Sequence, residues 1–327
     1  MGKRKGKKKF FAIIKFSFFF IIVLLVAGYI YFNLAFPKTT LAPNVQIYSS
    51  PQQIQRGKYL ANHVTVCISC HSSRDWSKFS GPIIPGTEGM GGEKFEKGYP
   101  GTFYASNITP SGIGEWTDGE VLRVITTGVT RDERVLYPLM PYLQYQNLNI
   151  EDLYSIVGYI RTIKPIVNEV PVSSINFPMN LIVKTYPPKS YTPVTAVSDS
   201  TSIQYGKYLA TIAVCKSCHT SAGENSVNDM IFAGGREFVT DDGIIRSSNV
   251  TPDIETGIGS WTRDDFLQKF KQYANQNINV NRGDINTSMP WSSYSGMTDN
   301  DLTAIYNYLK TIPPVHNKIT RLTVTKN

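Results

Sequence analysis

No acidic residue precedes Asp75 in this chain of 327 residues. Eleven basic residues stand in that acid-free stretch, and the first seven of them, Lys3, Arg4, Lys5, Lys7, Lys8, Lys9 and Lys15, account for most of a formal net charge of +8. Without those seven, 26 basic residues face 25 acidic ones, so the rest of the chain is nearly neutral. It lacks the basic face that a nucleic-acid partner requires, and none is expected. Cysteine and histidine are scarce, with four of each. The cysteines fall into two Cys-x-x-Cys pairs, so none is left over for a structural disulfide framework.

The basic N-terminus has its own explanation. Phe16 to Phe36 is a continuous apolar stretch interrupted only by Ser17 and Asn33, long enough for one bilayer crossing. Basic residues before the span place the N-terminus in the cytoplasm and all that follows Phe36 on the periplasmic side, with Tyr29 and Tyr31 at the outer interface. A cleaved signal peptide would have a shorter apolar core and a small-x-small cleavage site, and Asn33-Leu34-Ala35 is a poor one. The expectation is a single-pass anchor in the inner membrane.

The second half of the sequence restates the first in the same order. Gly57-Lys58-Tyr59-Leu60-Ala61 returns as Gly206-Lys207-Tyr208-Leu209-Ala210, and Cys67-Ile68-Ser69-Cys70-His71 as Cys215-Lys216-Ser217-Cys218-His219. Asn107-Ile108-Thr109-Pro110 returns as Asn249-Val250-Thr251-Pro252, and Met140-Pro141 as Met289-Pro290. A duplicated domain follows from this order. The boundaries it suggests are an anchor over 1–36, a linker over 37–50, a domain over 51–164, a Pro-, Ser- and Thr-rich linker over 165–202, a second domain over 203–316 and a tail over 317–327. Within the second linker, Phe177 to Leu181 has the composition of a packed segment.

Each unit reads as mainly helical. Thr117 with Glu120, and Thr262 with Asp265, open a middle helix with a capping box. Leu153, Ile156, Val157, Ile160 and Ile163 mark the buried face of a closing helix, as do Leu302, Ile305, Leu309 and Ile312 in the second unit. The Gly- and Pro-rich stretch from Gly81 to Gly101 suits a loop wrapped around a flat cofactor, and little strand is expected.

Cys-x-x-Cys-His is the haem attachment sequence, in which two thiols add to the vinyl groups of haem and the histidine ligates iron. A lone copy fits a redox dithiol or half a zinc site equally well, but two copies at equivalent positions point to two covalently bound haems. Cys67, Cys70, Cys215 and Cys218 are the expected attachment points, and His71 and His219 the expected iron ligands. Met140 and Met289 are the expected sixth ligands, because they are equivalent and each precedes Pro and an aromatic residue. Met90, Met179, Met230 and Met297 lack counterparts and are expected to fill gaps in the core. His63 and His316 are unpaired between the repeats and are expected at the surface or in packing.

The run Asn-Ile/Val-Thr-Pro, Gly-Ile-Gly-x-Trp-Thr, Met-Pro-Tyr/Trp resembles the class I cytochrome c domain, and more closely the cytochrome c subunit of membrane-bound alcohol and gluconate dehydrogenases. The resemblance implies two tandem class I cytochrome c domains behind one transmembrane helix. It also implies that Gly57 meets Tyr159, that Gly206 meets Tyr308, and that the Pro82 carbonyl accepts the His71 imidazole N–H, with no equivalent after His219. Trp116 and Trp261 are open between lining the haem edge and core packing. The family typically has three haems, and this chain has two attachment sites.

These observations converge on an electron carrier rather than an enzyme, alone or as a subunit of an oxidoreductase complex. Its expected partners are a dehydrogenase or quinol-linked donor upstream, and an oxidase or other cytochrome downstream, in a periplasmic respiratory chain. The rival is a dihaem enzyme of the cytochrome c peroxidase type, which needs one exchangeable iron position. The matched Met-Pro pairs count against it.

Overall fold

The computed structural model describes residues 2–221, 230–240, 243–275, 277–281 and 284–324, with side chains from residue 9 onward. The side chains of Lys3, Arg4, Lys5, Lys7 and Lys8, parts of the expected second domain, and the last three residues of the expected tail lie outside these. The described structure is mostly helical, behind one apolar N-terminal helix.

That helix, α1 (Gly2–Ala35), is long and apolar enough to cross a membrane over Lys9–Ala35. Its side chains are exposed from Lys9 to Tyr31, and only its last turn, from Phe32, begins to be covered. The first half of the body then runs α2 (Pro51–Tyr59), a π turn over Leu60–Val64, α3 (Cys67–Cys70), β1 (Lys94–Phe95), β2 (Gly101–Tyr104), α4 (Pro110–Ile113), α5 (Asp118–Thr127), α6 (Tyr142–Tyr145) and α7 (Ile150–Thr162). After β3 (Ser174–Ile175) and α8 (Met179–Ile182) come α9 (Ile203–Ile212), α10 (Cys215–Cys218), β4 (Glu237–Val239), β5 (Gly243–Arg246), α11 (Arg263–Lys271), α12 (Trp291–Tyr294), α13 (Asp299–Leu309) and β6 (Leu322–Val324).

Local sequence accounts for where the helices begin. Both expected capping boxes form: Thr117 Oγ1 accepts from Glu120 N and Thr262 Oγ1 from Asp265 N, while each acidic side chain accepts from its cap's backbone N–H. Ser50 and Gln53 make a third box, with Pro51 placed where the helix needs no donor. α7 and α13 begin at Asn149 and Thr298, whose side-chain oxygens accept from Asp152 N and Asp301 N.

Two helix pairs form the centre, α2 against α7 and α9 against α13. Glycine lets each pair close. A Cβ on Gly57 would fall 1.8 Å from the Ser155 carbonyl oxygen and 2.9 Å from Tyr159 Cβ, and one on Gly206 would fall 1.9 Å from the Ala304 oxygen and 3.0 Å from Tyr308 Cβ. Leu153, Ile156, Val157 and Ile160 on α7, and Leu302, Ile305 and Leu309 on α13, are buried in one apolar cluster. Each such side chain contributes about 1.5–3 kcal/mol over its exposed state.

Among the described residues, strand is confined to two small antiparallel sheets, β1-β2-β3 and β4-β5-β6. In both halves the chain beyond the closing helix returns to pair with a hairpin, Gly101 opposite Ile175 and Gly243 opposite Val324. The stretch 165–202, expected as a linker, makes contacts with the body. It supplies β3, seats Val183 against Val129 and Val135, and donates the Tyr191 phenol to Leu148 O at 2.7 Å. The expected tail likewise supplies β6.

The halves also meet through loops. Phe79 N donates to Ile278 O at 2.8 Å, Val280 N donates to Ser77 O at 2.9 Å, and the Phe79 ring stacks on Tyr273 with centroids 5.3 Å apart. Beside them Ser80 Oγ donates to Met289 O at 2.6 Å, so a loop of the first half holds the methionine loop of the second.

Candidate haem sites

The chain enters each Cys-x-x-Cys-His motif through a strained residue. Val66 has φ +48° and Val214 has φ +60°, a left-handed backbone that a β-branched side chain rarely adopts. Such a residue costs on the order of 1–3 kcal/mol and persists where its surroundings fix it. Here the fixing groups are buried tyrosines from the short helices that follow the Met-Pro pairs: Tyr145 Oη donates to Thr65 O at 2.5 Å and Tyr294 Oη to Ala213 O at 2.6 Å. Each bond ties a methionine loop to the turn before the cysteines of its own half. The signal was in the sequence, a tyrosine five residues after each equivalent methionine, and sequence reasoning missed it.

The two imidazoles are held alike. His71 Nδ1 lies 2.7 Å from Ser106 O and His219 Nδ1 lies 2.8 Å from Ser248 O. A carbonyl only accepts, so Nδ1 carries the proton and Nε2 keeps the lone pair a metal ligand needs. Gly91 and Gly234 bring the supporting backbone close: their N–H groups donate to His71 O and His219 O at 2.9 and 2.7 Å. At φ +73° and +75°, a Cβ on either would lie 2.4–2.5 Å from the carbonyl carbon of Ser106 or Ser248. The next residue locks that carbonyl. Asn107 Oδ1 accepts from Thr109 N and Oγ1 while its Nδ2 donates to Ile166 O at 2.8 Å, and Asn249 repeats this with Thr251 and with Val315 O at 2.7 Å. The repeated Asn-x-Thr-Pro run thus positions the histidine's acceptor.

This arrangement corrects the expectation for Pro82. Its carbonyl accepts from Asp75 N at 2.9 Å, and the histidine's acceptor is the Ser106 carbonyl. The second histidine has a counterpart acceptor after all, at Ser248.

Cys67, Cys70, His71 and Met140 line one cavity of about 1490 Å³. Of the second set, Cys218 reaches this cavity, Cys215 and Met289 pack against the apolar cluster, and His219 is half-buried. Trp116 and Trp261 both pack on the core, and Trp116 also lines the cavity. The remaining candidates are placed elsewhere. Met297 is fully buried as core filler, His63 Nδ1 lies 2.9 Å from Ser293 O between the halves, and His316 is largely exposed beside Asp253.

Electrostatics favours neutral groups throughout. Burial pushes the Cys67 thiol up to about 11 and Cys215 up to about 12, and it raises Cys70 and Cys218 as well. A redox dithiol or zinc site needs thiolates, which means the opposite shift. Burial holds His71 and His219 below the ordinary imidazole range, so both are neutral donors at neutral pH. Paired thiols, a neutral imidazole with Nε2 available and a thioether around one cavity fit haem.

Residues 203–313 match the family model of cytochrome c. The chain is 29% identical over 279 residues to the cytochrome c subunit of alcohol dehydrogenase (quinone) from Gluconacetobacter polyoxogenes, covering 80% of this chain and 56% of that protein. It is 27% identical over 281 residues to the gluconate 2-dehydrogenase cytochrome c subunit of Pantoea cypripedii, covering 79% and 59%. It is 26% identical over 263 residues to a diheme cytochrome c-type protein of Cereibacter sphaeroides, covering 76% and 82%. The chain spans a little over half the length of the two dehydrogenase subunits. A cytochrome c domain implies covalently bound haem c. Residues 203–313 thus match cytochrome c, within a chain that is similar along most of its length to the cytochrome c subunits of dehydrogenases.

Proposed function

We propose that this chain is a dihaem electron carrier, with two tandem class I cytochrome c domains, 51–164 and 203–316, held at the periplasmic face of the cytoplasmic membrane by α1. Cys67 and Cys70 would attach one haem and Cys215 and Cys218 the other, with His71 and Met140, and His219 and Met289, as the side chains that would ligate iron. The observation that carries the reading is the matched pair of imidazoles, each giving Nδ1–H to a backbone carbonyl and presenting Nε2. Bound haem supplies a one-electron couple, and a thioether ligand gives a higher potential than a second histidine would. The chain's own residues choose the ligands, exclude water with the α2–α7 and α9–α13 cores, and fix the separation of the two sites.

A peroxidase requires an exchangeable position on one iron. Equivalent Met-Pro loops, each tied down by a buried tyrosine, favour two closed positions instead. The names of the relatives support a dehydrogenase as electron donor, and anchoring favours acceptors confined to the same membrane, such as a terminal oxidase. Pyridine haemochrome quantitation of the purified protein tests the count: two covalent haems per chain are expected, and one in the Cys215→Ala/Cys218→Ala variant. A single haem in the parent protein would overturn the dihaem reading.

A further inference from the structure

We infer that the segment 176–186 forms a second membrane contact, lying in the lipid headgroup boundary beside the outer end of α1 and fixing the orientation of the haem-bearing body. The inference rests on the reading of α1 as a transmembrane anchor. Three observations locate the segment at that depth. Lys184 Nζ donates to Asn33 Oδ1 at 2.6 Å, within the last turn of the apolar helix. Thr39 Oγ1 donates to Pro188 O at 3.2 Å and Thr40 N to Lys189 O at 2.7 Å, so the chain leaving α1 runs alongside the segment. The body covers α1 only from Phe32 onward, which puts the boundary between lipid-facing and protein-facing residues at the same level.

The segment's surface suits that place. Val183 is buried against Val129 and Val135 and fixes the α8 turn to the body. Phe177 remains 78% exposed, with Ile182 and Tyr186 also exposed. Aromatic and aliphatic side chains on one short turn beside lysines are the composition of an interfacial segment. No acidic residue occurs between Glu169 and Asp199, while Lys184 and Lys189 are present, so the segment attracts anionic headgroups. The adjoining turn balances Asp132 and Glu133 with Arg131 and Arg134 and does not oppose that attraction.

The test uses the full-length, haem-loaded protein in vesicles of phosphatidylcholine and phosphatidylglycerol. With the native cysteines occupied by haem, a nitroxide is placed by Phe177→Cys, Ile182→Cys, Phe20→Cys within α1, or Glu255→Cys as an exposed reference. Collision rates with oxygen, which partitions into lipid, and with a water-soluble nickel chelate are read by power-saturation EPR. The oxygen-to-nickel ratio at 177 and 182 is expected to stand several-fold above that at 255 and below that at 20. Ratios at 177 and 182 equal to that at 255, with position 20 lipid-exposed, would overturn the second contact and leave the anchor intact. Suppression of both collisions at 177 and 182 would mean that protein covers the surface and would also overturn it. A water-exposed label at position 20 would overturn the anchor and this inference with it.

Discussion

The phenol of Tyr208 donates a 2.6 Å hydrogen bond to Asp152, a carboxylate of the other half of the chain, and Tyr59 donates one of equal length to Asp301 in the reverse direction. The tyrosines are equivalent in the repeated Gly-Lys-Tyr-Leu-Ala run, and so are the acids that open the closing helices. The halves are therefore joined by one contact used twice. It is not fully symmetric, since Asp152 also receives Arg56 Nε at 2.8 Å while Asp301 receives the Tyr205 phenol at 3.0 Å. A phenol bound to a buried carboxylate contributes about 1.5–3 kcal/mol. Tyr208→Phe and Tyr59→Phe should each lower unfolding free energy by about that amount, and a Tyr208→Phe/Asp152→Asn cycle should show coupling of about 1–3 kcal/mol in denaturant melts.

The glycines behind the histidines make a sharper local prediction. Gly91→Ala or Gly234→Ala puts a Cβ against the Ser106 or Ser248 carbonyl in a backbone conformation that alanine resists. Each should cost about 1–3 kcal/mol by overpacking. The paramagnetically shifted imidazole Nδ1–H signal of the same half should move in NMR spectra while the other half's signal stays.

Met140→Ala should leave covalent haem attachment intact, open one iron to carbon monoxide and lower that haem's potential. Met289→Ala should do the same to the other haem. Carbon monoxide difference spectra check both, and a Met140→Ala protein as inert as the parent would remove Met140 from the ligand set.

Burial pushes the Tyr205 and Tyr191 phenols up to about 12. An unfolded phenol ionises near pH 10, so between these values the folded state binds more protons than the unfolded one. The stabilisation is complete below about pH 10 and is lost as pH rises towards 12. Denaturant midpoints should therefore fall across that window, and less steeply in Tyr191→Phe.

The repeats and the capping boxes were legible because side chains carry them, and the Gly57–Tyr159 and Gly206–Tyr308 contacts followed from the family resemblance. The histidine acceptors were not, because Ser106 and Ser248 act through backbone carbonyls that any residue supplies. The clue was indirect, in the repeated Asn-x-Thr that follows each serine. In the stretch 165–202 composition does not mark the contacts, since a two-residue strand and one buried valine, Val183, hold it to the body.

The most direct test of two closed His/Met haem sites is low-temperature EPR with near-infrared magnetic circular dichroism on the oxidised, full-length protein. Two low-spin centres, both with the charge-transfer band of His/Met ligation, are expected. One high-spin or bis-histidine centre would contradict the assignment of Met140 or Met289 and return the peroxidase reading to first place.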